Sequence, residues 1–351
     1  MRISELREAV RSATVEFAWG QWAQMGVLAE TSRRDRWAAD PEALLLFTLE
    51  VARDDPRLFD EVLDWLRLNV RLVGVQRLRN LCRDEEDRAL VGASLAWAER
   101  YQPKFRTGVS KAREEPEAPA PLFRGVSLRV GGPDEAFLAH GLLKPATEPS
   151  YKSRPPDLFA AINFAFRLRH LFGVGSRADV IRYLLTVRAP DVNAQLVAEA
   201  AAYAKRNVSE TLASLVASGA VEAFTRANER RYHVERERWA PLLELDPEAF
   251  PVYREWPRLL WALRALARWI DSPTLDELSD YMLASEARTL MDRVGPNLLF
   301  SGVASPRVQR VGHEYWETFV ETVVAALDLL GPSRSSAQRP GRSTSGGPDF
   351  A

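Results

Sequence analysis

Residues 191–234 read DVNAQLVAEAAAYAKRNVSETLASLVASGAVEAFTRANERRYHV, and this stretch decides how the chain is read. Within it, 205–218 predicts a helix whose inward face carries Val208, Leu212, Leu215 and Val216, spaced i, i+4, i+7 and i+8. Gly219 stands where a helix C-terminus favours a residue free to adopt positive φ. Tyr203 and Ala204 form a turn before that helix, and 191–202 predicts a second helix whose alanines allow close approach. Upstream, 177–187 predicts another, with Val180, Ile181, Leu184 and Leu185 inward. Downstream, 221–225 and 231–234 predict two strands joined by a polar loop over 226–230.

The third helix leaves Lys205, Arg206, Asn207, Ser209, Glu210 and Thr211 outward, at and near its N-terminus, with Tyr203 at the adjoining turn. Helices that read DNA present N-terminal side chains to base edges in the major groove, where Arg or Lys pairs with guanine and Asn with adenine. Arg226, Arg230 and Arg231 lie where a hairpin would meet phosphates. The pattern AxxAxYxKRxVxxxLxxLxxxGxV, carried from Ala198 to Val221, resembles the winged helix-turn-helix family of bacterial transcriptional regulators over about 173–239. The resemblance implies three helices, a β-hairpin wing and double-stranded DNA as partner. One departure is Ala204, where Ser or Thr commonly caps the third helix. The charge from 203 to 232 is modest, five Lys/Arg against three Asp/Glu. A winged helix used only for protein contacts therefore stays open beside the DNA reading.

A second basic element lies at 64–83, with Arg67, Arg71, Arg77, Arg79 and Arg83 against Asp64 alone. A short helix from about 75 to 82 would turn Val75, Leu78, Leu81 and Cys82 inward and leave Gln76, Arg77, Arg79 and Asn80 outward, as a second possible DNA contact. The alternative is a solvated face balanced by the acidic run at 84–87.

Around these segments the 351-residue chain reads as mainly α. The expected divisions are an N-terminal helical domain over 1–102, a linker and Gly/Pro-containing piece over 103–156, the winged segment within 157–239, a C-terminal helical domain over 240–330, and a disordered tail over 331–351. Asp40-Pro41 and Asp55-Pro56 each read as an N-cap followed by proline at the first helical position. The Glu42–Leu66 stretch EALLLFTLEVARDDPRLFDEVLDWL, taken with the whole-chain pattern, resembles bacterial winged-helix proteins encoded beside nucleotidyltransferase-like toxins. That resemblance implies a toxin-like protein partner and an antitoxin-like interaction module that also represses its own operon. In the last helix Trp316, Phe319, Val320, Val323, Val324, Leu327 and Leu330 repeat near every 3.5 residues, a seam suited to core or to a two-fold dimer contact.

Several function classes fall away. One cysteine, Cys82, permits neither an intrachain disulfide nor a cysteine zinc cage. His313-Glu314 is followed by Glu317, so HExxH is absent, and the four histidines are scattered. Gly173-Val174-Gly175 lacks the Lys-Ser/Thr ending of a phosphate loop, and no GxSxG occurs. No catalytic residue, metal ligand or cofactor is expected. Without an apolar leader or a run of about 18 apolar residues, the sequence predicts a cytoplasmic protein with no membrane partner. The expected function is a sequence-specific regulator, acting as a homodimer because two-fold proteins read two half-sites.

Overall fold

Leu6, Val10, Phe17 and Trp22 line the inward face of α1 (Ile3–Gln24), which opens the chain. The computed structural model describes residues 1–102, 119–125, 132–306, 308 and 310–332, and is mainly helical. α2 (Pro41–Val51) and α3 (Pro56–Asn69) begin as the sequence predicts: Asp40 accepts from Ala43 N–H, Asp55 accepts from Leu58 N–H, and proline opens each helix. Every residue of α2 is buried, including Glu42, Thr48 and Glu50. Around it pack α4 (Val75–Leu81) and α5 (Glu85–Tyr101).

Further along, β1 (Ala120–Pro121) pairs in parallel with β2 (Leu142–Leu143), and the short α6 (Glu135–Leu138) lies between them in sequence. The linker expectation over 103–118 lies outside the described residues. Over 144–156 the structure corrects it: this proline-rich segment is strapped onto α3. Lys144 is fully buried and its ammonium meets Asp60 at 2.8 Å, Ser150 donates to Glu61 at 3.0 Å, and the Ser153 N–H donates to Asp64 at 3.0 Å. The strap then crosses Gly26, where Arg154 N–H donates to the glycine carbonyl at 2.8 Å. Gly26 has φ of +108°, and a Cβ there would collide with the Arg154 carbonyl oxygen, so the crossing needs glycine. Prolines remove N–H donors but leave carbonyls and neighbouring side chains to tie the segment down, which composition alone does not show.

α7 (Phe164–Phe172), α8 (Ser176–Thr186), α9 (Ala194–Ala201) and α10 (Lys205–Ala217) follow, then β4 (Glu222–Arg226) and β5 (Glu229–His233). Ahead of α9 stands a strand missing from the sequence reading, β3 (Val192–Asn193), so the predicted helix at 191–202 begins three residues later. Asn193 ends the strand and caps α9, its side chain accepting from Leu196 N–H. The sheet order is β3-β5-β4, antiparallel throughout. The β4–β5 connection is a two-residue turn, tighter than the predicted loop. Ala227 and Asn228 both have positive φ, as a turn matched to strand twist requires. These elements share a core of their own, with Val180, Ile181, Leu185, Val197, Val208 and Leu212 at its centre.

The short α11 (Arg236–Trp239) leads to α12 (Trp256–Ile270), α13 (Asp280–Phe300) and α14 (Tyr315–Asp328). These last three pack with α1, α2, α3 and α5 in a single second core. The N- and C-terminal helical segments, read separately in the sequence, thus bury their apolar faces against one another. The seam of α14 faces inward: Phe319, Val323, Ala326 and Leu330 are buried, and Val324 is exposed. Of the tail, 333–351 lies outside the described residues. No helix is long and apolar enough to cross a membrane among the described residues.

Candidate nucleic-acid interface

α10 presents its two faces as its spacing predicts. Val208, Leu212 and Leu215 are buried, whereas Lys205, Arg206, Asn207 and Glu210 are exposed. Ala204 supplies no side-chain cap, so the first N–H groups of α10 point outward without one. The other expected contacts are less free. Arg206 pairs with Glu210 one turn on at 3.0 Å. Thr211, half-buried, shares a hydroxyl contact with Ser176 at 2.9 Å and donates to the Asn207 carbonyl at 2.8 Å. Ser209 is half-buried too. Tyr203 turns inward and donates to Asp179 at 3.2 Å; burial and the Asp179 carboxylate push its phenol well above the ordinary value, which keeps it a donor.

The hairpin arginines are partly neutralised by a residue that lies before β3 in sequence. Asp191 receives Arg231 at 2.7 Å and Arg226 at 3.3 Å. Arg231 also meets Glu229 at 3.1 Å, and Arg230 lies over the Tyr232 ring at 5.7 Å. With Asp191 included, the net charge of the α10–hairpin surface falls from +2 to +1. Lys205 makes no ion pair among the described residues.

α4 requires a correction. Gln76, Arg79 and Asn80 are exposed as expected, but Arg77 is 0% exposed. Its guanidinium reaches Asp40 and Glu42 at the start of α2, and Nε donates to the Ala201 carbonyl at 2.8 Å. An inner face drawn from apolar residues alone misses this, because buried carboxylates draw in a cation in place of a hydrocarbon. The signal that could have found it is the pair of acids opening an otherwise apolar helix. Asn80 completes the attachment: it accepts from Gln76 at 3.0 Å and donates to the Ala202 carbonyl at 2.9 Å. The two candidate contact sets, on α4 and on α10, are thereby brought to one surface.

Behind that surface lies a cluster of six buried charges. Arg77, Arg169 and Arg182 face Asp40, Glu42 and Asp179, all essentially without solvent contact. Arg169 bridges Glu42 at 2.7 Å and Asp179 at 2.9 Å, and Arg182 reaches Asp40 at 3.0 Å. Burial raises the Asp40 carboxyl, but Arg77 and Arg182 outweigh it and hold the group well below the usual carboxylate range. At Glu42 burial is likewise outweighed, by Arg169 and Arg77. The cluster spans the two cores: Asp40, Glu42 and Arg77 belong to the α2–α4 side, Arg169, Arg182 and Asp179 to α7 and α8. It fixes the turn before α10 to the helical body.

Other candidate chemistry is sparse. Among the described residues no group of three or more His, Cys, Asp or Glu is placed to hold a metal ion. Burial, then Asp87, pushes the Cys82 thiol up to about 11, so it stays protonated at neutral pH. Comparison of the chain with family models, curated proteins and solved structures finds no match.

Proposed function

We propose that the chain is a sequence-specific DNA-binding regulator of the winged-helix type, reading the major groove with the N-terminal half of α10 and touching phosphates with the β4–β5 hairpin. The observation that carries the reading is the exposure of Lys205, Arg206 and Asn207 on a helix whose opposite face is buried against α8 and α9. Side chains so held meet base edges with little loss of freedom. The uncapped α10 N-terminus favours a phosphate oxygen nearby. In this reading Gln76, Arg79 and Asn80 extend the contact from α4, and the protein acts in the cytoplasm, without catalysis, as a homodimer. Because the α14 seam is internal, the dimer contact would lie elsewhere. The modest charge implies that base contacts, more than phosphate attraction, set affinity.

A second reading is an antitoxin-like module that holds a protein partner. It is favoured by two exposed apolar pairs at the two ends of α13, Tyr281 with Met282 at 68% and 53%, and Leu299 with Phe300 at 61% and 59%. Selection of bound duplexes from a random pool, followed by mobility shifts across salt concentrations, tests the first reading. Enrichment of one sequence supports it, and equal weak retention of all duplexes refutes it.

A further inference from the structure

A cavity of about 660 Å³ opens where α4, the turn before α10, α12 and α13 converge. Its size is that of small-molecule sites. The floor is apolar, formed by Phe47 and Leu260, with Trp261 half-buried at one side. Three arginines line it. Two have carboxylate partners: Arg258 meets Glu199 at 2.6 Å, and Arg264 meets Asp87 at 2.8 Å. The third, Arg83, donates its backbone N–H to Asp87 at 2.7 Å, while its guanidinium lies over the Trp261 ring at 5.3 Å with no carboxylate partner among the described residues. Two carboxamides, Asn207 on α10 and Asn297 on α13, face the same space, and neither side chain is hydrogen-bonded among the described residues.

We propose that this cavity binds a small aromatic carboxylate, and that its occupant acts as an effector of the regulator. One unmatched guanidinium calls for one negative charge, and a carboxylate pairs with it in bidentate fashion. An aromatic ring suits a floor of Phe47 and Leu260 with Trp261 at its side. The carboxamides of Asn207 and Asn297 can hydrogen-bond the ring's polar edge. The effector role rests on the proposed reading of α10, because Asn207 belongs both to the cavity and to the helix face offered to DNA. An occupant that holds Asn207 removes it from a base and weakens operator binding.

The test uses the full chain and two probes, salicylate and indole-3-acetate, with indole-3-acetamide as the uncharged control. Binding is followed by calorimetry and by saturation transfer to the probe. Both carboxylates are expected to bind saturably and the amide at least about tenfold more weakly, since the charge is what Arg83 recognises. Arg83→Gln, an exposed substitution, should weaken the carboxylates by a similar factor. Asn297→Asp, which adds a negative charge to the lining, should do the same. Absence of saturable binding to the wild type overturns the site, as does binding that Arg83→Gln and Asn297→Asp leave unchanged. The DNA readout is separate. If the carboxylates bind as described and the protein retains no duplex, the site stands and the regulator reading fails. If duplex binding is specific and saturating probe leaves it unaltered, the effector role is overturned.

Discussion

Replacing Arg77 with Met tests the buried charge cluster most directly. The substitution removes a guanidinium that serves Asp40, Glu42 and the Ala201 carbonyl at once, all away from water. Two arginines then face three carboxylates, leaving one uncompensated negative charge in the interior. Breaking a buried pair in this way costs about 3–5 kcal/mol, a large share of the roughly 5–15 kcal/mol typical of a folded protein. The R77M variant should therefore unfold at markedly lower urea concentration, and amides of 173–239 should exchange faster than those of α1 and α12. Adding Asp40→Asn restores charge balance while keeping a residue able to cap α2, so R77M/D40N should be more stable than R77M alone. The pH dependence has a definite sign. In the wild type the folded Asp40 and Glu42 groups ionise below their ordinary values, so they contribute stability above those values and lose it as pH falls through the folded ones. In R77M the same carboxyls lose a guanidinium and move upward, so part of the penalty disappears on protonation. The stability gap between R77M and wild type should then narrow as pH falls through the variant's raised carboxyl values toward the lower values of the wild type. A loss under about 1 kcal/mol at neutral pH, or a gap independent of pH, would refute the charge argument.

Three further outcomes are expected. Alanine at Lys205, Arg206 and Asn207 together should weaken selected duplexes by several kcal/mol, at about 1–3 kcal/mol per good base contact, with the thermal midpoint nearly unchanged; full affinity in the folded variant rejects α10 as the reading helix. Asp191→Asn should release Arg226 and Arg231 to phosphates, tightening all duplexes and steepening the salt dependence by about 0.9 log unit for each phosphate newly neutralised, so an unchanged slope places the hairpin away from DNA. Phe319→Ala should cost about 3–5 kcal/mol in urea unfolding, whereas Val324→Asp should change stability by less than about 0.5 kcal/mol; the reverse order would mean the α14 seam is an outer surface.

Much of the helical framework was legible because caps and prolines punctuate it. Asp40-Pro41 and Asp55-Pro56 open α2 and α3 where the sequence places them, and Gly219, at φ of +73°, follows α10 as expected. What escaped detection had weak or misleading local signals. β3 is two residues long and exists only by pairing with Tyr232 and Arg231, about forty residues on, and no local periodicity can announce that. α13 carries the helix-weakening pair Gly295 and Pro296, yet the helix continues through Pro296 to Phe300. Arg77 looks like a surface cation until its carboxylates, 37 and 35 residues earlier, are seen beside it. At the candidate interface the exposure of Lys205, Arg206 and Asn207 followed from helical spacing. The inward turn of Tyr203 and the neutralising role of Asp191 did not, because both depend on partners outside the helix.

The attachment of Arg77 and Asn80 to the Ala201 and Ala202 carbonyls bears on how far the segment 157–239 is portable. The segment carries most of one hydrophobic core, which also takes in Ala38, Ala240, Leu243 and Phe250, so a graft cut at 239 would already lose part of that core. Two of its charges also find their counterparts across the seam, and the hinge ahead of α10 takes two of its stops from α4. An excised fragment would carry Arg169 and Arg182 without the carboxylates of α2, and its α10 would pivot more freely. The smallest transplantable unit thus includes the start of α2 and all of α4, and heritable change in those remote helices can retune what α10 touches without altering any residue on its outer face.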